Sequence, residues 1–175
     1  MTSRNGGFIS DWPCSALKFN IELQQATASL KIKWYGVRSR VQLTVVETQK
    51  NKAVFEDVLV GRDIDTGIHQ SYTIDFSKHA HTSNKFTVTL TKMTQSNPLG
   101  TGIATKFFDA STFTFSGLKL PGKLLEPPQR APHRIQFLGA SDTAGYCVDG
   151  TPDTGVIPER LGGWKYDNCD AGYVH

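Results

Sequence analysis

Length, composition and charge place this chain among ordinary globular proteins. It has 175 residues, of which 38% are hydrophobic and 20% charged, so it can bury a core and does not resemble a disordered segment. The net charge is only +3, with scattered lysines and arginines, which argues against nucleic acid, and no run approaches the ~18 apolar residues of a membrane-spanning helix.

Neither the N-terminal residues nor the cysteines assign a compartment. The first ten residues, MTSRNGGFIS, lack the apolar stretch of a secretory signal. Three cysteines occur without metal-ligand spacing, so no metal or other cofactor is predicted, and we expect a monomer. Cys147 and Cys169 could close a loop by a disulfide and leave Cys14 unpaired, but three free thiols fit the sequence equally well.

Residues 15–120 are dominated by a period-two alternation of apolar and polar residues. Alternation directs one face of each strand to a core and the other to water. Short turn-rich segments, TQKNK, GRDIDTG and SNPLGTG, separate the runs. We therefore predict a mainly β jelly-roll sandwich domain over residues 1–120. The alternating apolar residues are Leu17, Phe19, Ile21, Leu23, Leu30, Ile32, Trp34, Val41, Leu43, Val45, Tyr72, Ile74, Phe76, Phe86, Val88, Leu90, Phe113 and Phe115.

Several aromatic and histidine residues of the sandwich are candidate ligand contacts. Trp34 and Tyr35 could stack on a sugar ring, but Trp34 follows the apolar alternation, which favours core packing. His79 and His81 would share one face on a strand, although surface positions in a loop suit them better than a ligand role.

The composition changes at residues 121–133, PGKLLEPPQRAPH, where four prolines occur. Proline lacks the N–H that a central strand needs, so this segment is predicted to be a linker or an extended strap. Residues 134–138, RIQFL, form a short apolar run typical of a buried parallel strand. We predict that this strand enters a turn at 139–141 and begins a second domain over residues 134–175.

Ser141 is the candidate nucleophile of that second segment. A serine just after a buried strand lies at the carboxyl edge of a sheet, where α/β proteins build their sites. Backbone N–H groups at the start of a following helix can hold an oxyanion. The serine would still require a base to accept its proton.

The residues around Ser141 resemble the first conserved block of the SGNH or GDSL hydrolases. The strand, the turn and the glycine-tyrosine pair that follows are similar to the start of that family's α/β domain. The resemblance implies that Ser141 is both the nucleophile and a backbone oxyanion donor. The matching residues are Gly139, Ser141, Thr143, Gly145 and Tyr146.

The order of parts is similar to carbohydrate esterase family 2, in which a jelly roll and a short linker precede this block. His69 and the Lys92-Met93-Thr94 strand end also look like that family's sandwich domain. The resemblance implies a serine esterase that removes acetyl groups from acetylated polysaccharides or oligosaccharides. The competing prediction is a carbohydrate-binding β-sandwich module with no catalytic role.

The segment departs from the family pattern in three ways. Ala140 stands where the family has an aspartate that braces the turn, and Asp142 stands where an apolar residue is usual. Residues 134–175 are also far fewer than the ~150 of a doubly wound hydrolase domain, and the blocks that carry the catalytic histidine and the remaining oxyanion donors are not among them. We therefore expect little or no esterase activity from this chain.

Two further expectations concern residues 134–175. Trp164 and Tyr166 follow a glycine pair in a predicted loop and are candidates for a sugar-binding platform. Because the strand at 134–138 lacks sheet neighbours, residues 134–175 are expected to be mobile or aggregation-prone, while the sandwich folds independently. A protease should then cut first within residues 121–133 or soon after.

Overall fold

The computed structural model describes residues 7–10, 12–64, 66–94, 111–129, 163–166 and 168–169. Two antiparallel sheets enclose one hydrophobic core, which confirms the mainly β sandwich predicted from the alternation. The predicted strand, turn and helix after residue 134 lie outside the described residues. Of the helices in the described ranges, none is long and apolar enough to cross a membrane.

The strand order within the two sheets is that of a jelly roll. The four-stranded sheet has the order β1-β8-β3-β6, and the five-stranded sheet has the order β5-β4-β7-β2-β9. Successive strands from β1 to β8 therefore contribute two Greek keys, and β9 is added beside β2. The strands are β1 Phe8–Ser10, β2 Ala16–Leu23, β3 Ser29–Val37, β4 Arg40–Glu47, β5 Lys52–Val60, β6 Gln70–Asp75, β7 Lys85–Lys92, β8 Thr112–Lys119 and β9 Gly122–Leu124.

Alternating apolar side chains of both sheets build the core. On β3, Leu30, Ile32 and Trp34 are buried, while Lys31 and Lys33, which alternate with them, are exposed. Burying each such side chain stabilises the fold by roughly 1.5–3 kcal/mol. Trp34 is 3% exposed, so its assignment to the core is confirmed. The buried cluster comprises Ile21, Leu23, Leu30, Ile32, Trp34, Val41, Leu43, Val45, Leu59, Ile74, Phe76, Phe86, Val88, Leu90 and Phe113.

Strand β5 is not predicted by the alternation. It is an edge strand, and its register with β4 shifts between Val45 and Val46. The extra residue at the shift, Val54, breaks the period of two at that point, and Leu59 is the one buried side chain of β5. An edge strand with one buried side chain and a break in its pairing leaves no regular alternation in the sequence, although most of its residues are apolar.

The first part of the proline-rich segment runs along β2 as an extended strap. Strand β9 pairs with the end of β2, and beyond it the Leu125 N–H donates to the Asn20 carbonyl at 2.9 Å. The Asn20 side-chain amide in turn donates to the Glu126 carbonyl at 2.9 Å. These bonds cover the outer edge of β2 from Asn20 to Leu23, which would otherwise be an open sheet edge.

A disulfide joins Cys14 to Cys169, with 5.7 Å between their Cα atoms. The bridge corrects both expectations for the cysteines, a Cys147–Cys169 bond and three free thiols. Cys147 lies outside the described residues. The end of β7 positions both partners, because Cys14 N–H donates to the Lys92 carbonyl at 2.8 Å and Cys169 N–H donates to the Met93 carbonyl at 3.1 Å.

Cys169 is fully buried against the sandwich. The expectation that residues 134–175 are mobile is wrong at Cys169, which is buried and bridged to Cys14. A local bridge was one of the two expectations because residues 147 and 169 lie in the same segment. The fold instead brings the β1–β2 connection and Cys169 to the same end of β7.

A close backbone approach positions the long connection between β5 and β6. Gly61 N–H donates to the Ser39 carbonyl at 2.7 Å, and Arg62 N–H donates to the Gly36 carbonyl at 2.9 Å. A Cβ atom at position 61 would lie 2.7 Å from the Gly36 carbonyl oxygen, so only glycine fits there. The connection that leads to His69 is therefore held against the end of β3.

Candidate functional site

Three polar side chains meet on the outer face of the four-stranded sheet. Tyr35 follows the buried Trp34 on β3 and therefore lies on the opposite face of that strand. Its ring lies 5.5 Å from the His69 ring, centroid to centroid, at 44°. Ser116 Oγ lies 2.6 Å from His69 Nδ1. We refer to Tyr35, His69 and Ser116 as the polar cluster.

A β-bulge places Ser116 in the cluster. The register between β3 and β8 shifts between Lys33 and Trp34, which pair with Gly117 and Phe115 respectively. Ser116 is the extra residue on β8, and Gly117 has a φ of 152°, a conformation that glycine adopts readily. Bulges of this kind re-aim one side chain, here toward His69.

The Ser116–His69 contact does not by itself make a catalytic dyad. An activated serine needs a histidine that a third group orients, usually a carboxylate. Among the described residues no carboxylate hydrogen-bonds to the His69 ring. The cluster instead offers the Ser116 hydroxyl, the His69 imidazole and the Tyr35 phenol, whose ring packs beside the imidazole. These groups are suited to recognising a polar ligand.

Three exposed lysines extend the outer face away from the polar cluster. Lys31 and Lys33 alternate with the buried residues of β3, and Lys119 of β8 pairs directly with Lys31. The cross-strand partners of Lys31 and Lys33 on β6 are uncharged, Thr73 and Ser71. In the described part of the chain, no ion pair involves Lys31, Lys33 or Lys119. We call these three lysines the basic face.

A cleft of about 320 Å³ opens at the other sheet, between the ends of β2 and β9. Lys123 Nζ lies 3.0 Å from Glu22 Oε2 across it. The hydrogen bond from Lys123 lowers the pKa of Glu22 below its usual range. Because its two charges already neutralise each other, this cleft is the weaker candidate for a charged or polar ligand. Its lining residues are Glu22, Leu23, Gln24, Asn84, Gly122 and Lys123.

The other histidines of the sandwich have structural contacts. The His81 ring contacts Phe76 and Phe86 edge-on, with centroids 6.1 and 5.2 Å away, and its nitrogens face two backbone carbonyls. His79 contacts the Phe55 ring at 5.0 Å. Across the residues that the structure describes, no group of three or more His, Cys, Asp and Glu side chains could hold a metal ion.

The predicted nucleophile and its motif lie outside the described residues. The residues concerned are Gly139, Ala140, Ser141, Asp142, Thr143, Gly145 and Tyr146.

Trp164 and Tyr166 belong to a single turn of 3-10 helix, Gly163–Tyr166. Tyr166 is half-buried, so only part of its ring is open to a ligand. Between them, Lys165 Nζ lies 3.6 Å from Asp63 Oδ1 in the β5–β6 connection. The turn is thus attached to the connection that also leads to His69. Whether the two aromatic residues bind sugar stays a prediction.

Sequence reasoning identified part of the polar cluster. Tyr35 was a candidate for stacking, and His69 was noted for its resemblance to a family position. Ser116 was missed because a bulge leaves no hydrophobic pattern. The basic face was missed because its three lysines are scattered in sequence and gathered only by strand pairing.

Comparison with known proteins supports the fold. No family model matches the chain, and no curated protein matches it. A solved structure of a carbohydrate esterase family 2 enzyme plus carbohydrate binding domain, from Corynascus thermopiles (Myceliophthora fergusii), is similar with a TM-score of 0.53 and 17% identity. The similarity covers 85% of this chain and 37% of that chain, so this protein spans little more than a third of the structure it matches.

Proposed function

We propose that this chain is a carbohydrate-binding β-sandwich whose binding surface is centred on the polar cluster. The observation that carries the proposal is the meeting of Tyr35, His69 and Ser116 on one exposed sheet face. A sugar ring presents C–H groups that suit an aromatic surface, and hydroxyls that need donors and acceptors. The solved structure with the same fold includes a carbohydrate binding domain, which supports the same proposal.

Local contacts hold the cluster in one arrangement before any ligand binds. Gly67 N–H donates to the Tyr35 hydroxyl oxygen at 3.3 Å, and the bulge fixes Ser116 beside His69. Side chains held in this way lose little conformational freedom on binding, and affinity rises accordingly. A flat face on a rigid sheet suits a polysaccharide chain better than a small enclosed ligand.

Affinity electrophoresis through gels containing xylan, mannan or cellulose derivatives tests this proposal. We expect the wild type to be retarded by at least one of these polymers, without turnover. Tyr35→Ala should migrate as in a polymer-free gel. The matched control is Trp12→Ala, which removes an aromatic side chain that is 70% exposed from the connection between β1 and β2. Equal migration of wild type and Tyr35→Ala in every gel would exclude the polar cluster as the site.

A second candidate function is the esterase activity implied by the Ser141 segment. The fold shared with a structure that contains a family 2 esterase favours keeping it. On this hypothesis the chain is part of an enzyme that deacetylates O-acetylated polysaccharides, and by itself it has little activity. Hydrolysis of p-nitrophenyl acetate by the wild type, lost in Ser141→Ala, would establish catalysis by this chain and contradict the purely binding role.

A further inference from the structure

The basic face contains an unfavourable pair that the fold does not require. Lys31 and Lys119 are directly opposite each other on neighbouring strands, and both are exposed. Like charges in this position destabilise a sheet. Lys33 adds a third ammonium group on the same face, two residues along β3. A bound anion would offset the repulsion among the three groups.

The remaining charges near this face do not neutralise the lysines. Asp75 ends β6 on the same sheet, but its carboxylate accepts hydrogen bonds from Ser77 N and Oγ and lies 3.6 Å from Lys78 Nζ. The β6 residues that lie beside the lysines are Ser71 and Thr73, which carry no charge. The face therefore presents positive charge without a compensating carboxylate within the described part of the sheet.

Building on the carbohydrate-binding function proposed above, we propose that the basic face and the polar cluster together bind a carboxylate-bearing polysaccharide, a chain of uronic acid residues. Lys31 and Tyr35 are four residues apart on β3, which spans about 13 Å at about 3.3 Å per residue. A short stretch of polysaccharide covers that length. One sugar ring lies on Tyr35 and His69. The carboxylates of the next uronic acid units along the polysaccharide lie over Lys33, Lys31 and Lys119.

Charge and surface chemistry favour this occupant over a nucleic acid. The chain carries a net charge of only +3, and the described face has one aromatic pair rather than a series of rings for stacked bases. The ammonium group of lysine is a compact point charge that pairs with a carboxylate without a fixed geometry. The hydroxyl and imidazole of the polar cluster supply the hydrogen bonds that sugar hydroxyls need.

Isothermal titration of the 175-residue chain with three ligands tests the inference. The ligands are polygalacturonate, fully methyl-esterified polygalacturonate and an oligothymidylate of similar charge. We expect polygalacturonate to bind about tenfold more tightly than its ester. Each exposed ion pair contributes only a small factor to the affinity, and the three pairs together give a factor of about ten. Added salt should weaken polygalacturonate binding and leave the ester unaffected.

Two triple variants locate the site. Lys31→Gln/Lys33→Gln/Lys119→Gln should bind polygalacturonate about tenfold more weakly than wild type does. The control Lys18→Gln/Lys50→Gln/Lys52→Gln removes the same charge from exposed positions elsewhere and should bind as wild type does. The first variant should unfold at the same temperature as wild type or higher, since it loses a like-charge pair, so weaker binding would not reflect misfolding.

The outcomes separate this inference from the function on which it rests. Binding of xylan or mannan that Tyr35→Ala abolishes, with no preference for polygalacturonate over its ester, would overturn the inference and keep the carbohydrate-binding function. Equal affinity for the oligothymidylate would overturn it in favour of a general polyanion surface. A chain that binds no polysaccharide at all would overturn both.

Discussion

Cys14 and Cys169 are 155 positions apart in sequence, and a disulfide holds their Cα atoms 5.7 Å apart. Both cysteines bond through their backbone to the end of β7, one to Lys92 and the other to Met93. The bridge therefore links the start of the sandwich to the last described residues of the chain through one buried strand end.

We expect Cys169→Ser to lower the free energy of unfolding by about 2–4 kcal/mol, because a bridge across a long loop restricts the unfolded chain. Urea unfolding followed by tryptophan fluorescence measures the change. Dithiothreitol should shift the wild type to the midpoint of the variant. Cys147→Ser is the control and should unfold as wild type does; a comparable loss in that variant would contradict the Cys14–Cys169 pairing.

Limited proteolysis should also report the bridge. A protease that cuts within residues 121–133 would separate the sandwich from the segment that contains Cys169, but the disulfide keeps the two fragments joined. We expect one band on a non-reducing gel and two on a reducing gel. Two bands without reductant would show that the bridge is absent from the folded protein.

The ionised Glu47 carboxylate is expected to stabilise the fold at pH values above the usual carboxyl pKa. Hydrogen bonds from Thr82, whose Oγ1 donates at 2.7 Å, lower the pKa of Glu47. A pKa lower in the folded state gives stability that is present at neutral pH and is lost as the pH falls through the lowered pKa. Thr82→Val should therefore lower the urea midpoint at neutral pH and much less in acid. Thr82→Ser, which keeps the hydroxyl, should follow the wild type at both pH values.

The Tyr72 phenol should lose its proton at a higher pH than an ordinary tyrosine does. Burial, together with its hydrogen bond to the Asp57 carboxylate, raises the pKa of Tyr72 to about 12. Because this pKa is above that of the unfolded chain, about 10, the resulting stability is complete below pH ~10 and is lost as the pH rises toward 12. Ultraviolet difference titration should show one late tyrosinate signal that is absent in Tyr72→Phe. Asp57→Asn should shift that signal to lower pH, and an unchanged signal would refute the pairing.

The aromatic core should be sensitive at Phe113. Its ring lies 6.3 Å from the Trp34 ring and 6.4 Å from the Phe8 ring, between centroids, and the residue is fully buried. We expect Phe113→Ala to cost about 3–5 kcal/mol of unfolding free energy, since it leaves a cavity among rings that cannot all move inward. Trp12→Ala, at a site 70% exposed, should change stability by about 0.5 kcal/mol or less. Similar midpoints for the two variants in urea would contradict this core.

Period-two alternation predicted the sandwich because the buried and exposed residues of β3, β4 and β7 are determined by their neighbours along one strand. The same alternation placed Trp34 in the core, and Tyr35 faces outward on the same strand. Contacts between side chains of different strands leave no such pattern in the sequence. The pairing of Lys31 with Lys119 and the contact of Ser116 with His69 depend on register, which only the assembled sheet sets.

Ser116 also decides which side chains of β8 reach the interior. Before it, odd-numbered Phe113 and Phe115 contact the core, and after it the even-numbered Leu118 does. The extra residue exchanges the parity of the strand, so β8 can end with Lys119 in solvent. Pairing β8 with β3 without the bulge, with Ser116 still in the strand, would turn Lys119 inward and Leu118 outward. Deleting Ser116 would instead place Gly117 directly after Phe115 in a regular ladder, so the strand would keep its register with β3 and its basic face and lose only the polar cluster's hydroxyl.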